Sequence, residues 1–240
     1  MATPLVDKSP DRIAGMFDAI APRYDLLNRV LSAGIDRRWR ARAVRSLALT
    51  GQETLVDVCA GTADVALEAV GAGAHGAARA VGVDFAGAML TLGLRKVAAR
   101  GVSDRVTLVR GDALRLPLAT GAADAATVAF GIRNVADTAQ GCAELARVLK
   151  PGGRLAILEF GVPRVPGLGA VYQWYFSAVL PKMGRLISGH SAAYSYLPAS
   201  VGSFTPPAEF ANMLERAGFV DVRADPLTFG IVYLYSARRL

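Results

Sequence analysis

The 240-residue sequence predicts an α/β fold, a mostly parallel sheet with helices on both faces, and three observations carry that expectation. The apolar run Thr54 to Val58 leads into the small-residue turn Cys59-Ala60-Gly61-Thr62-Ala63, and Asp64 to Val70 has helical composition, so the segment reads strand, tight turn, helix. A second strand, Ala80 to Val83, delivers Asp84 one βα unit later. Apolar runs then alternate with helix-like segments as far as Phe160, the succession that builds a parallel sheet.

The elements follow in order. Val106 to Val109 is a third strand, ending at Arg110-Gly111-Asp112-Ala113, and Asp124 to Phe130 is a fourth. A helix over 137–149 opens at Asp137, with Gln140 three residues on at the capping-box spacing, and is closed by Lys150-Pro151-Gly152-Gly153. The fifth strand is Arg154 to Phe160. Near the C-terminus, Thr205 as N-cap, Pro206 at the first helical position and Gly218 past the end bound a helix over 206–217, whose Phe210, Met213, Leu214 and Ala217 form an apolar face. Strands over 219–224 and 230–237 close the chain as a hairpin.

The chemistry-bearing residues fall at strand ends. Small residues at the first turn let the chain approach a ligand, and the helix start offers free N–H groups at Gly61 and Thr62. Asp84 is placed to accept hydrogen bonds from two vicinal ribose hydroxyls, and Asp112-Ala113 to read an adenine edge. A dinucleotide site would carry G-x-G-x-x-G, of which Gly61 alone is present.

This order of signals, with Lys-Pro-Gly-Gly before the fifth strand, resembles the class I S-adenosylmethionine-dependent methyltransferases. The resemblance implies a Rossmann-like, seven-stranded, mostly parallel sheet with an antiparallel C-terminal strand. It also implies S-adenosylmethionine as cofactor, with Thr62 at its methionine end, Asp84 at its ribose and Asp112-Ala113 at its adenine. The family's loop usually has glycines where this chain carries Cys59 and Ala63.

Three further blocks narrow the resemblance. Met16 to Asn28 continuing through Leu31 to Arg40, Phe130-Gly131-Ile132-Arg133-Asn134-Val135, and Arg147 to Phe160 closely resemble the ubiquinone/menaquinone C-methyltransferases, joined by Tyr194-Ser195-Tyr196-Leu197 and Ala217-Gly218-Phe219. The implied reaction is methylation of a ring carbon on a polyprenylated hydroquinone, most simply demethylmenaquinol to menaquinol. Departures gather late in the chain: Pro198-Ala199-Ser200-Val201 and Phe204-Thr205-Pro206 replace the usual stretch after Tyr-x-Tyr-Leu, and Pro226-Leu227-Thr228-Phe229-Gly230 stands where Asn-Leu-Thr-Gly-Gly is common. Other lipophilic phenols or benzoquinols, and a non-catalytic cofactor-binding subunit, stay open beside the leading reading.

Carbon methylation needs an electron-rich ring carbon, and loss of a hydroquinol proton makes it so; a nearby cation favours the phenolate. Arg133 is the expected oxyanion partner and Asn134 the group that orients an oxygen, the alternative for Arg133 being a pair with a buried carboxylate. Tyr24 is expected to close over the methionine end or to serve as a packing tyrosine. His190, beside Gly189, reads either as a base or as ordinary loop surface.

Bulk properties set the outer bounds. The length fits one domain, expected as an N-terminal helical cover over 1–50, a cofactor core over 51–160, a substrate-side insertion over 161–204 and a C-terminal helix and hairpin over 205–240. Two cysteines and two histidines at unrelated spacings give no zinc cluster or disulfide framework, so no metal is expected. No secretory signal opens the chain, and a cytoplasmic enzyme is the default. Mean hydropathy of +0.33 without an 18-residue apolar run suits contact with a membrane rather than crossing. The aromatic stretch Ala170 to Leu180 fits a greasy tunnel or interfacial helix as well as a core helix. The net charge of +7 is sharpened by Arg38, Arg42 and Arg45 on one helical face, which suits a solvated face or anionic lipid. Nucleic acid is not expected, because aromatics are not interleaved as stacking platforms. The expected partners are therefore a lipophilic quinol and transient contact with an anionic membrane surface; a homo-oligomer stays open.

Overall fold

The computed structural model describes residues 8–163 and 191–240. The stretch Ala170 to Leu180 and His190 lie outside the described residues. Seven strands form one sheet in the order β3-β2-β1-β4-β5-β7-β6: β1 Thr54–Val58, β2 Arg79–Asp84, β3 Val106–Arg110, β4 Ala123–Ala129, β5 Leu149–Phe160, β6 Phe219–Leu227 and β7 Val232–Arg239. β1 to β5 pair in parallel, and β7 runs antiparallel to both β5 and β6. The sheet expected from the sequence is thus the one observed.

Helices α1 Pro10–Leu31 and α2 Asp36–Ser46 precede β1; α3 Asp64–Gly71, α4 Gly87–Ala99 and α5 Thr138–Val148 connect the parallel strands. Helices α6 Ser191–Gly202 and α7 Pro207–Arg216 lead into the final hairpin. Leu47, Leu55, Leu67 and Val97 bury one face of the sheet under α2, α3 and α4, while Val56, Leu145, Leu155 and Phe210 bury the other under α5 and α7. Strands covered on both faces are apolar almost throughout, which is why they read from sequence as runs rather than alternations. A third cluster, Ile20, Ala21, Met89 and Val201, seats α1 on α4 and α6.

Most boundaries differ from the sequence expectation by one to three residues, and two differences have a clear physical reason. Strand β5 already begins at Leu149, which pairs with Ala123, and the next partner of β4 is Arg154 opposite Ala125. Lys150 to Gly153 is therefore a bulge inside the strand and not only a helix stop, and a Cβ on Gly153 would lie 2.7 Å from the Lys150 carbonyl. The last helix starts one residue late, with Pro206 as N-cap and Pro207 inside, because the Phe210 N–H reaches the Pro206 carbonyl. By contrast Asp137 caps α5 as its spacing predicts, accepting the Gln140 N–H at 3.0 Å.

Candidate active site

The sheet order reverses between β1 and β4, and a cleft opens there beyond the carboxyl ends of the strands. A cavity of about 330 Å³ occupies it, lined from β1 by Cys59 and Gly61, from β2 by Asp84, from β3 by Gly111, Asp112 and Ala113, and from β4 by Phe130, Gly131 and Asn134. Helix α1 supplies Phe17 and Tyr24 as a wall, and Lys8 completes the lining ahead of it.

The turn after β1 holds an alternating backbone. Cys59, Gly61 and Ala63 have φ of 57°, 54° and 65°, all left-handed. Only Gly61 adopts that conformation without a Cβ penalty. The Gly61 N–H donates to Asp84 Oδ2 at 2.8 Å and the Ala86 N–H to Oδ1 at 2.8 Å. The Gly61 donor expected to be free for a ligand is thus spent on fixing Asp84. Burial raises the Asp84 carboxyl above the usual range, while those backbone donors oppose the shift. Each oxygen keeps acceptor capacity toward the cavity, so the donor pattern of a ribose fits.

Asp112 lies at the far end, its Oδ1 accepting the Leu114 N–H at 2.9 Å, with Ala113 buried beside it. Tyr24 faces Gly61: a Cβ there would lie 4.0 Å from the Tyr24 ring. On the opposite lip, a Cβ on Gly131 would fall 2.3 Å from that of Cys59, so the two loops meet only because residue 131 is glycine. Burial and the surrounding carboxylates push the Cys59 thiol well above its ordinary value, which leaves it a space-filling group rather than a thiolate.

Thr62 departs from its expected place. Its hydroxyl points behind the loop, donating to Asp25 Oδ1 at 2.7 Å and accepting from Lys96 Nζ at 3.0 Å. The cavity lining includes Gly61 but not Thr62. A hydroxyl next to a carboxylate and an ammonium in a half-buried cluster is satisfied there, and so does not turn toward the cleft.

Arg133 is 5% exposed, and its Nη1 donates to Glu159 Oε1 at 2.7 Å and to the Phe130 carbonyl at 2.5 Å. Nε donates to Ser200 at 3.3 Å, and the guanidinium stands 5.4 Å from the centre of the Phe160 ring. Glu159 is fully buried on β5. Of the two readings of Arg133 from the sequence, oxyanion partner or partner of a buried carboxylate, the geometry shows the second contact: Glu159 matches its charge. Asn134, one residue on, does line the cavity, and its Oδ1 accepts the Tyr196 hydroxyl of α6 at 3.0 Å. The Asn134 amide nitrogen has no hydrogen-bond partner among the described residues.

Sequence reasoning missed Glu159, Tyr196, Lys8, Asp25 and Lys96. Glu159 had a legible signal, a lone carboxylate inside the buried run Leu155 to Phe160, since such a charge requires a partner. Lys8 is half-buried; burial lowers its ammonium pKa, with Glu159 opposing and Arg133 reinforcing the shift. The others depend on contacts between distant segments.

Residues 5–239 match the model of the ubiE/COQ5 methyltransferase family. The ubiquinone/menaquinone biosynthesis C-methyltransferase UbiE of Syntrophotalea carbinolica is 50% identical over 224 residues, 93% of this chain and 92% of that protein. The demethylmenaquinone methyltransferase of Thermus thermophilus is 48% identical over 93% of this chain and all of its own length. Among solved structures, a SAM-dependent methyltransferase from Aquifex aeolicus superposes with a TM-score of 0.57 at 19% identity, covering 80% of this chain and 85% of its own, a likeness of fold. By a match spanning nearly every residue, the chain belongs to the ubiE/COQ5 methyltransferase family.

Proposed function

We propose that the protein methylates a ring carbon of a lipophilic hydroquinone with S-adenosylmethionine, most simply converting demethylmenaquinol to menaquinol. The observation that carries this reading is the end-to-end kinship with a demethylmenaquinone methyltransferase. The cleft supports it with a site of the right chemistry. Asp84 suits the ribose, Asp112 and Ala113 the adenine, and Gly61 under Tyr24 the methionine end. The cofactor, when bound, supplies an electrophilic sulfonium methyl.

The chain's own contribution is to position the acceptor and stabilise its charge. With the acceptor's hydroxyl deprotonated, its ring carbon would take the methyl group as the methyl–sulfur bond breaks to leave a neutral thioether. That carbon then releases its hydrogen as a proton and the oxygen regains one, so that the hydroquinone is restored with one proton released overall. Asn134, its carbonyl held by Tyr196, donates to the acceptor oxygen. Lys8 offers that oxygen a cation where Arg133 does not, because it lines the cavity itself. Arg133 then acts as a positioning residue, its pair with Glu159 fixing the loop that carries Asn134.

The test is transfer of labelled methyl from S-adenosylmethionine to reduced demethylmenaquinol in detergent, with a polyprenyl benzoquinol and a simple phenol alongside. Preference for the naphthoquinol is expected, and Asn134→Ala should lower turnover by about 10²-fold with cofactor affinity retained. Cofactor binding without transfer to any quinol would move the assignment to another lipophilic phenol or to a non-catalytic role.

A further inference from the structure

A second cavity, of about 690 Å³, lies between α1, α2, α3 and α4, behind the loop that carries Gly61. Its lining is almost wholly ionic, with seven basic side chains against four acidic ones and no aromatic ring. The acidic groups are largely used within its floor. Arg40 binds Asp36 at 2.8 Å and Asp64 at 3.2 Å, and Lys96 binds Asp25 at 2.9 Å and also pairs with Asp64. The other basic groups, Arg29, Arg37, Arg38, Arg45 and Arg100, form no ion pair among the described residues, and all five are exposed.

Their surroundings select the partner. Arginine forks match phosphate oxygens two at a time, and five of them around one hollow make a strongly attractive surface for phosphate monoanions. On α1, Leu26 and Val30 are 55% and 40% exposed and flank Arg29 at helical spacing, so apolar side chains stand beside the basic rim. Arginines beside exposed aliphatic residues suit a lipid interface, where headgroups meet the cations and acyl chains receive the apolar groups. Stacking on bases, by contrast, would require aromatic residues that this cavity lacks.

We propose that the arginine-rimmed cavity, with the outer face of α1, docks on anionic phospholipid and engages its headgroup phosphate. The purpose rests on the quinol reading above: a polyprenyl acceptor resides in the bilayer. Helix α1 turns Tyr24 to the catalytic cavity and Arg29 to the basic one, so docking would place the wall of the active site at the membrane.

Sedimentation of the full-length protein with vesicles tests this without any acceptor. Vesicles of phosphatidylglycerol with phosphatidylcholine should bind it at least about tenfold more tightly than phosphatidylcholine alone, with the difference shrinking as salt rises. Arg38→Glu with Arg45→Glu should abolish that preference, and Leu26→Ser with Val30→Ser should weaken binding at every salt concentration. Both variants should keep wild-type thermal midpoints and wild-type transfer to detergent-dispersed quinol. Equal binding to both vesicles, undiminished binding by the charge-reversed variant, or saturation by inorganic phosphate or a short RNA with no gain from phosphatidylglycerol would overturn the proposal. Failure of vesicle binding with intact transfer separates this inference from the function on which it rests.

Discussion

At the scale of single residues, Cys59, Ala63 and Phe229 carry side chains in left-handed backbone, with φ 57°, 65° and 60°. Each costs about 1–2 kcal/mol in that region of backbone space. Cys59 and Ala63 frame the turn after β1, so strain is concentrated beside the candidate site. Arg133 shows the complementary situation, a costly group held by its partner. Both it and Glu159 are buried, so removing either charge leaves the other uncompensated. Arg133→Gln should therefore destabilise the fold by about 3–5 kcal/mol, whereas Arg133→Gln with Glu159→Gln recovers most of that loss. Chemical denaturation of the two variants decides the matter. A stable single variant that has lost only turnover would return Arg133 to direct catalysis.

At the scale of elements, an ionic cluster ties α1 to the turn after β1 and to α4. Asp25 on α1 accepts from Thr62 and from Lys96 on α4, and Lys96 also holds Asp64 at the start of α3. A second tie runs from Asp18 on α1 to the Ala88 N–H of α4 at 2.9 Å, so the two helices run side by side in the same sense. Because Asp25 is two-fifths exposed, its pair is worth less than a buried one, about 1 kcal/mol. Asp25→Asn should accelerate amide exchange in α1 by about fivefold, leave β1 and β4 unchanged, and weaken S-adenosylmethionine binding by a similar factor. Unchanged exchange in α1 would show that its apolar contacts with Met89 and Val201 suffice. These ties explain what the sequence hid. Strands β1 to β5 were legible because each is a continuous apolar run ending in a turn, and Asp84, Asp112 and Asn134 were legible because they follow those runs. The orientation of Thr62 was not, since its partners lie 37 and 34 residues away. The pairing of Arg133 was legible only as an alternative, because the carboxylate that matches it, Glu159, stands 26 residues on in β5.

At the scale of the whole molecule, two carboxylates impose opposite pH dependences on stability. Burial alone would raise the Glu53 carboxyl, but the Thr50 N–H, Arg154 and the Gln52 N–H together bring it down to about 2. Its contribution is present above the unfolded value near 4.5 and is lost as pH falls through about 2. Asp57 is the reverse. It is 1% exposed in β1 at the centre of the sheet, with Oδ1 accepting the Thr127 hydroxyl of β4 at 2.8 Å. Burial outweighs that bond and raises its carboxyl to about 7. The fold therefore favours the protonated acid: its contribution is fully present below the unfolded value near 3.8 and is lost as pH rises through about 7. Asp57→Asn keeps an acceptor for Thr127 and removes the titration. Its stability relative to wild type should grow between pH 4 and 7 and level off above, the gain at pH 8 exceeding that at pH 4.5 by more than about 1.4 kcal/mol, the equivalent of one pKa unit. Urea unfolding at the two pH values measures it directly. A difference independent of pH would mean that Asp57 stays ionised inside the sheet, and the central strands would then have to stabilise a charge by means other than the Thr127 hydroxyl.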